Sequence, residues 1–269
     1  MPESPLILVT NDDGLLSPGL RAAAEAVADL GDLLIAAPAT QQTAMSRAFV
    51  HDAHAGIIER VEMQVAGRTV PGYAISGSPV MAVTHAVLEL AEQPIRLCVS
   101  GINYGENVGA AIGASGTVGA ALEADAYGIP GIAAAITAQV SGWRAFGTVD
   151  WTAAKHFTRL LAGQVLDEGM PDGVSVLNLN VPRSATPQTE LRKTVQSRQP
   201  YYVRSRPSST RPLDQPYELT VEVAVDWDRL GAGTDIYAVV CDRVASVTPL
   251  TWRMTADTDW VPRAADGGA

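Results

Sequence analysis

The chain is short of the residue types on which several function classes depend. Its two cysteines, Cys98 and Cys241, lie far apart in 269 residues and outside any CxxC unit. That excludes a zinc ribbon or a dithiol redox pair and fits a reducing compartment. Basic residues are few, 19 Lys and Arg against 29 Asp and Glu, for a net charge of −10. Such a balance gives no electrostatic footprint for a nucleic-acid polymer and is repelled by anionic lipid. No apolar run approaches the roughly 18 residues of a membrane span. Met1 to Pro5 carry no basic stretch, and the apolar run after them stops at Asn11, short of a signal peptide. The expected location is therefore cytoplasmic. HExxH, GxSxG and GxxxxGK[ST] are all missing, which leaves no support for zinc-protease, serine-hydrolase or P-loop chemistry. Aromatic residues make up 6%, and the scattered tryptophans, including Trp143 and Trp151, read as packing anchors rather than a base-stacking platform.

What is present is apolar and alternating. Hydrophobic residues fill 47% of positions, enough for a sizeable core in one domain or in a domain with an appendage. Leu6 to Thr10 reads as a strand buried on both faces, and Ser17-Pro18 opens a helix carrying Leu20, Ala24 and Val27 on one side until Gly31. Leu33 to Ala37, Ile95 to Ser100, Gly131 to Ile136 and Val174 to Leu179 read as further strands. Between them, Ser78-Pro79 to about Leu90, Gly116 to Ala126 and Trp151 to Leu166 read as helices. This alternation predicts a three-layer α/β/α sandwich with a mostly parallel, Rossmann-like sheet, because parallel strands need helical crossovers. After Pro182 the composition turns to Arg, Ser, Pro and Gln. Leu219 to Val223, Ile236 to Val240 and Val244 to Leu250 then read as β-like, and the tail from Ala264 as frayed. The expected division is a core over residues 1–182 and a β-rich extension over 183–269, returning to the core near 233–250.

In such a sheet, ligands collect beyond the carboxyl ends of the strands. Three polar segments fall there. Thr10-Asn11-Asp12-Asp13-Gly14 places two adjacent carboxylates at the mouth of a buried strand, which is costly unless a cation or donors compensate. A hard divalent metal would do so; an Asp-Gly turn with Asp12 capping the next helix is the plainer alternative. Ser100 to Gly109 is rich in Gly and Asn, so it can bring amides to an anion or an amide oxygen to a metal, or serve simply as a turn. Ser115-Gly116-Thr117 opens a helix, where capping and phosphate binding are compatible. His51, Asp52 and His54 lie together but read as a solvated loop, and His85 and His156 read as surface or packing residues on helices.

Taken in order, these segments resemble the SurE family of metal-dependent 5'/3'-nucleotidases. The likeness rests on Val9-Thr10-Asn11-Asp12-Asp13-Gly14, Ser100-Gly101-Ile102-Asn103-Tyr104-Gly105-Glu106-Asn107-Val108-Gly109 and Ser115-Gly116-Thr117-Val118. It continues through Gly128-Ile129-Pro130-Gly131, Leu177-Asn178-Leu179-Asn180-Val181-Pro182 and Gly233-Thr234-Asp235 leading to Ser246-Val247-Thr248-Pro249-Leu250. The resemblance implies one divalent ion, magnesium or manganese, held by Asp12, Asp13, Thr43 and Asn103. It also implies phosphate contacts from Asn11, Gly105, Ser115, Gly116 and Thr117. The chain departs from the family pattern at Pro38 to Ala44, where an aspartate and basic residues are usual, and at Met81-Ala82, where an aspartate and a cysteine are usual.

The activity so implied is hydrolysis of a phosphomonoester, typically a nucleoside monophosphate, by a metal-activated water, with Asp12 and Asp13 indispensable. Two alternatives stand beside it: a phosphatase of the same fold for a non-nucleotide monoester, and a metal- or nucleotide-binding protein without turnover. The family also implies a homodimer or homotetramer joined through the carboxy-terminal arm.

Overall fold

The computed structural model describes residues 4–138, 148–207 and 210–259. Leu6–Thr10 forms β1, buried throughout. Ile7 and Val9 pack into one apolar cluster and Leu6 and Leu8 into another, as alternation demands of a strand covered on both faces. Ser17 caps α1 (Pro18–Val27), its Oγ accepting from the Leu20 amide at 3.2 Å, and β2 (Asp32–Pro38) follows parallel to β1. Next comes a hairpin that the sequence reading did not assign, β3 (Ile58–Val65) and β4 (Arg68–Ile75). Its two turn residues, Ala66 and Gly67, have φ of 48° and 75°, the left-handed pair that a tight hairpin requires. The outer strand exposes Arg60 and Glu62 on one face and Glu59 at the start of the other, which hides its hydrophobic period and guards a sheet edge.

Ser78 caps α2 (Pro79–His85), which runs on as a wider turn through Leu90. β5 (Ile95–Tyr104) extends four residues past the expected end at Ser100. α3 (Gly116–Ala126), β6 (Gly131–Ile136), α4 (Thr152–Glu168) and β7 (Val176–Val181) complete the alternating part. Helices α1 and α4 share the cluster on one face of the sheet, whereas α2 and α3 pack on the other. The result is a three-layer α/β/α sandwich.

The remaining chain both rejoins the sheet and leaves it. β8 (Leu191–Lys193) and the last strand, β11 (Ala245–Leu250), enter the central sheet, whose order is β3-β4-β2-β1-β5-β6-β7-β11-β8. β11 runs antiparallel to β7. β9 (Tyr202–Arg204) and β10 (Val221–Val223) instead pair with each other as a two-stranded antiparallel arm. The strand expected at Ile236 to Val240 is not formed, because Tyr237–Asp242 coils into a wide helical turn. Thr234 and Asp235 cause this: the Thr234 carbonyl accepts from the Ala238 amide at 3.0 Å, and Asp235 Oδ1 accepts from the Ile236 amide at 2.8 Å. Trp143 and the tail from Ala264 lie outside the described residues. Among those described, no helix is long and apolar enough to cross a membrane.

Candidate active site

β1 sits between β2 and β5, and the chain leaves β1 toward β2 but leaves β5 toward β6. This reversal opens a crevice at the carboxyl ends of the two strands. Thr10 lies opposite Ser100 in register, so the turn after β1 starts beside the last residues of β5, which run on to Tyr104. α3 then brings its first residues up against the same turn. A Cβ on Gly116 would stand 2.7 Å from Asp12 Cβ and 2.9 Å from its Oδ2, so only glycine admits this approach.

Asp12 and Asp13 are 6% and 8% exposed. Thr117 Oγ1 donates to Asp12 Oδ1 at 2.7 Å. Asp13 accepts from the Tyr104 amide at 3.1 Å and from Gln41 Nε2 at 2.9 Å. All three donors are neutral. Burial raises the Asp12 carboxyl above its ordinary range against the pull of Thr117. Burial first, and then the neighbouring charge of Asp12, raise Asp13 to about 7. Two buried acids with no cationic donor among the described residues form a site that a divalent ion would relieve, and oxygen ligands suit a hard ion. Asn103 lines the same cavity, and its Nδ2 donates to the Gly105 carbonyl at 2.7 Å. Among the described residues no group of three or more His, Cys, Asp or Glu gathers that could hold a metal ion.

The cavity encloses ≈ 490 Å³ and is lined by Asp12, Asp13, Thr43, Asn103, Gly105 and Ser115 among the expected site residues. Three others stand behind its wall. Asn11 is fully buried, its amide committed to the turn itself, with Nδ2 donating to Ser17 Oγ at 2.7 Å and Oδ1 accepting from the Gly14 amide at 3.2 Å. Thr117 is likewise buried and faces Asp12, while Gly116 provides clearance. In this structure these three shape the turn and the carboxylate pair.

The structure also adds residues that the sequence reading passed over. Asn107 lines the cavity at 7% exposure, and its Nδ2 is a buried donor without a hydrogen-bond partner among the described residues. Its backbone is clamped: the amide donates to Asn180 Oδ1 at 2.7 Å, and the carbonyl accepts from Asn178 and Asn180 Nδ2. Glu106 accepts from the Tyr202 hydroxyl at 2.7 Å and from the Ala138 amide at 3.1 Å. Burial and the Glu106 charge push the Tyr202 phenol well above its ordinary range, which keeps it a donor. Asp235 Oδ2 accepts from the Gly109 amide at 2.9 Å and fixes the far end of the loop. The signal for Asn107 was its place four residues after Asn103 in a glycine-spaced loop. The arm residues Tyr202, Tyr217, Leu219 and Val221, which form the apolar side of the cavity, carried no local signal.

A family model described as "Survival protein SurE" matches residues 7–203. The chain belongs to the SurE family. It is 38% identical over 261 residues to the "5'-nucleotidase SurE" of Thermococcus gammatolerans, covering 94% of this chain and 92% of that protein. The "5'-nucleotidase SurE" of Methanothrix thermoacetophila is 36% identical over 261 residues, with 94% and 95% covered. Among solved structures, the SurE protein from Aquifex aeolicus superposes with a TM-score of 0.72 at 26% identity, over 93% of this chain and 95% of that one.

Proposed function

We propose that the chain is a metal-dependent phosphomonoester hydrolase acting on nucleoside monophosphates. The observation that carries this reading is the buried Asp12–Asp13 pair, served among the described residues only by neutral donors, at the head of β1 and sharing one cavity with Asn103. The SurE relatives named as 5'-nucleotidases support it. In this reading Asp12, Asp13, Asn103 and the Thr43 hydroxyl hold one divalent ion, magnesium or manganese. When bound, the ion offsets charge on the phosphoryl oxygens and acidifies water. The protein's own groups do the rest. Asn107 Nδ2 donates to the non-bridging oxygens, and Ser115 adds its hydroxyl at the start of α3, where the helix favours negative charge; Gly105 lines the cavity with its amide committed to the Ile136 carbonyl at 2.9 Å.

The apolar wall of Tyr202, Tyr217, Leu219 and Val221 opposite the carboxylates suits a substrate whose phosphate ends a flat, weakly polar body, as in a nucleoside. Residues 1–182 carry the ion-holding groups in this reading. Residues 183–269 return to the sheet near 233–250 and add the arm, which also joins subunits into a homodimer or homotetramer. The test is phosphate release from a panel of nucleoside and non-nucleoside monoesters, with magnesium, manganese or chelator. Turnover that requires metal and favours nucleotides is expected. Equal rates across the panel would move the assignment to a general phosphatase, and nucleotide binding without product would move it to a binding protein.

A further inference from the structure

The loop joining β2 to β3 carries Gln41 and Thr43 into the cavity, where Gln41 bonds Asp13 and the Gln42 amide donates to the Asp12 carbonyl at 2.7 Å, and a second set of contacts holds it from Ser46 onward. Ala44 and Ser46 have φ of 63° and 50°, so this segment adopts backbone that side-chain-bearing residues seldom keep without external support. The support comes from α3 and the short turn before it. The Ser46 amide donates to the Ala114 carbonyl at 3.2 Å, and its Oγ donates to the Gly113 carbonyl at 2.9 Å. The Ser46 carbonyl lies so close to α3 that a Cβ on Gly119 would stand 2.3 Å from it.

The next residue, Arg47, donates through Nε to Glu123 Oε2 at 3.0 Å, and its Nη2 bonds the same oxygen. Glu123 is 5% exposed, so its charge leans on that guanidinium. Over the other side of Arg47 lies Trp252, with the guanidinium carbon 4.5 Å from the ring centroid. Trp252 is two residues past the last strand, and its Nε1 donates to Asp125 Oδ2 on α3 at 2.5 Å. A tail that leaves the sheet after β11 thus returns to cover the ion pair binding the loop to α3.

We propose that Arg47, Glu123 and Trp252 form a latch of positioning residues. The latch holds the β2–β3 loop in the conformation that sets Gln41 and Thr43 beside Asp13, so the carboxy-terminal tail tunes cation affinity without touching the cavity. The second half of this statement rests on the site being a metal site; the first does not. The latch works by pre-organisation: a loop already in its binding geometry loses less freedom when the ion arrives.

The test uses the full chain and Trp252→Ala, a change at a side chain 38% exposed, beside Trp252→Phe, which keeps a ring over Arg47. Hydrogen exchange of residues 39–48 is read in metal-free protein, and manganese binding is read by calorimetry. Trp252→Ala is expected to speed exchange in that loop and to weaken manganese about two- to fivefold, the factor an exposed cation–π contact carries. Trp252→Phe is expected to recover most of both. Unchanged loop exchange in Trp252→Ala overturns the latch, as does a loss shared equally by Trp252→Phe. If wild-type protein binds no manganese, the metal reading fails while the exchange arm still decides the latch.

Discussion

Asp13 shows how one buried side chain connects stability to function. Its carboxyl is raised from 3.8 to about 7 by burial and by Asp12, so the folded chain binds that proton more tightly than the unfolded chain does. Metal-free protein is therefore expected to lose stability as pH climbs from about 4 to 7. The loss reaches up to a few kcal/mol, because each tenfold difference in proton affinity between the folded and unfolded chain is worth about 1.4 kcal/mol. Thermal melts across that range check this. Asp13→Asn should flatten the profile, and manganese should restore stability to wild type at pH 8 while leaving the variant unmoved. The same substitution, or Asp12→Ala, should remove phosphate release by a factor of about 10³ or more, since it strips the ion's charge from the reacting group. Asn107→Ala tests the partnerless donor: kcat/KM should fall about 10²-fold with manganese affinity unchanged, which separates contact with substrate from contact with the ion.

At the level of elements, much of the architecture was legible because local chemistry and tertiary demand agree. Ser17-Pro18 and Ser78-Pro79 open helices just as their capping side chains predict, and Leu6 to Thr10 reads as a buried strand because it is buried on both faces. The misses share one cause, that a neighbour rather than the segment sets the conformation. The β3–β4 hairpin is paired along its length but half exposed, so charges mask its period. Ile236 to Val240 has strand composition, yet Thr234 and Asp235 wind it into a helical turn. The sheet rule placed the Asp12–Asp13 turn and the Ser100–Gly109 segment at strand ends, and the resemblance to the SurE family, not the rule, grouped Asp12, Asp13 and Asn103. That Asn11 and Thr117 serve the turn and Asp12 was not readable, because only coordinates show where a hydroxyl or amide is spent. Gly116→Ala is expected to displace Asp12 and abolish manganese binding in calorimetry while the chain stays folded by circular dichroism. Asp235→Ala would orphan the buried amides of Gly109 and Ser197, at about 1–3 kcal/mol each, and a lowered melting temperature checks it.

For the whole molecule, the charge of −10 opposes an anionic substrate at long range, so the local positive charge has to come from the site. Raising ionic strength from about 10 to 150 mM shortens the Debye length from about 30 to 8 Å. Under saturating metal, kcat/KM for a nucleoside monophosphate is therefore expected to rise with salt over that range; a fall would point to steering by unrecognised basic groups. The arm carries the apolar side of the cavity although it lies outside the central sheet. Its part in the site was invisible from sequence because no local pattern in residues 202–223 says which cavity they cover. The expectations for activity and metal binding depend on one cation held at the ends of β1 and β5, and anomalous diffraction from crystals soaked in manganese tests that directly. The account predicts a single peak within bonding distance of Asp12, Asp13 and Asn103; a cavity without a peak, its two carboxylates turned away from one another, would contradict it.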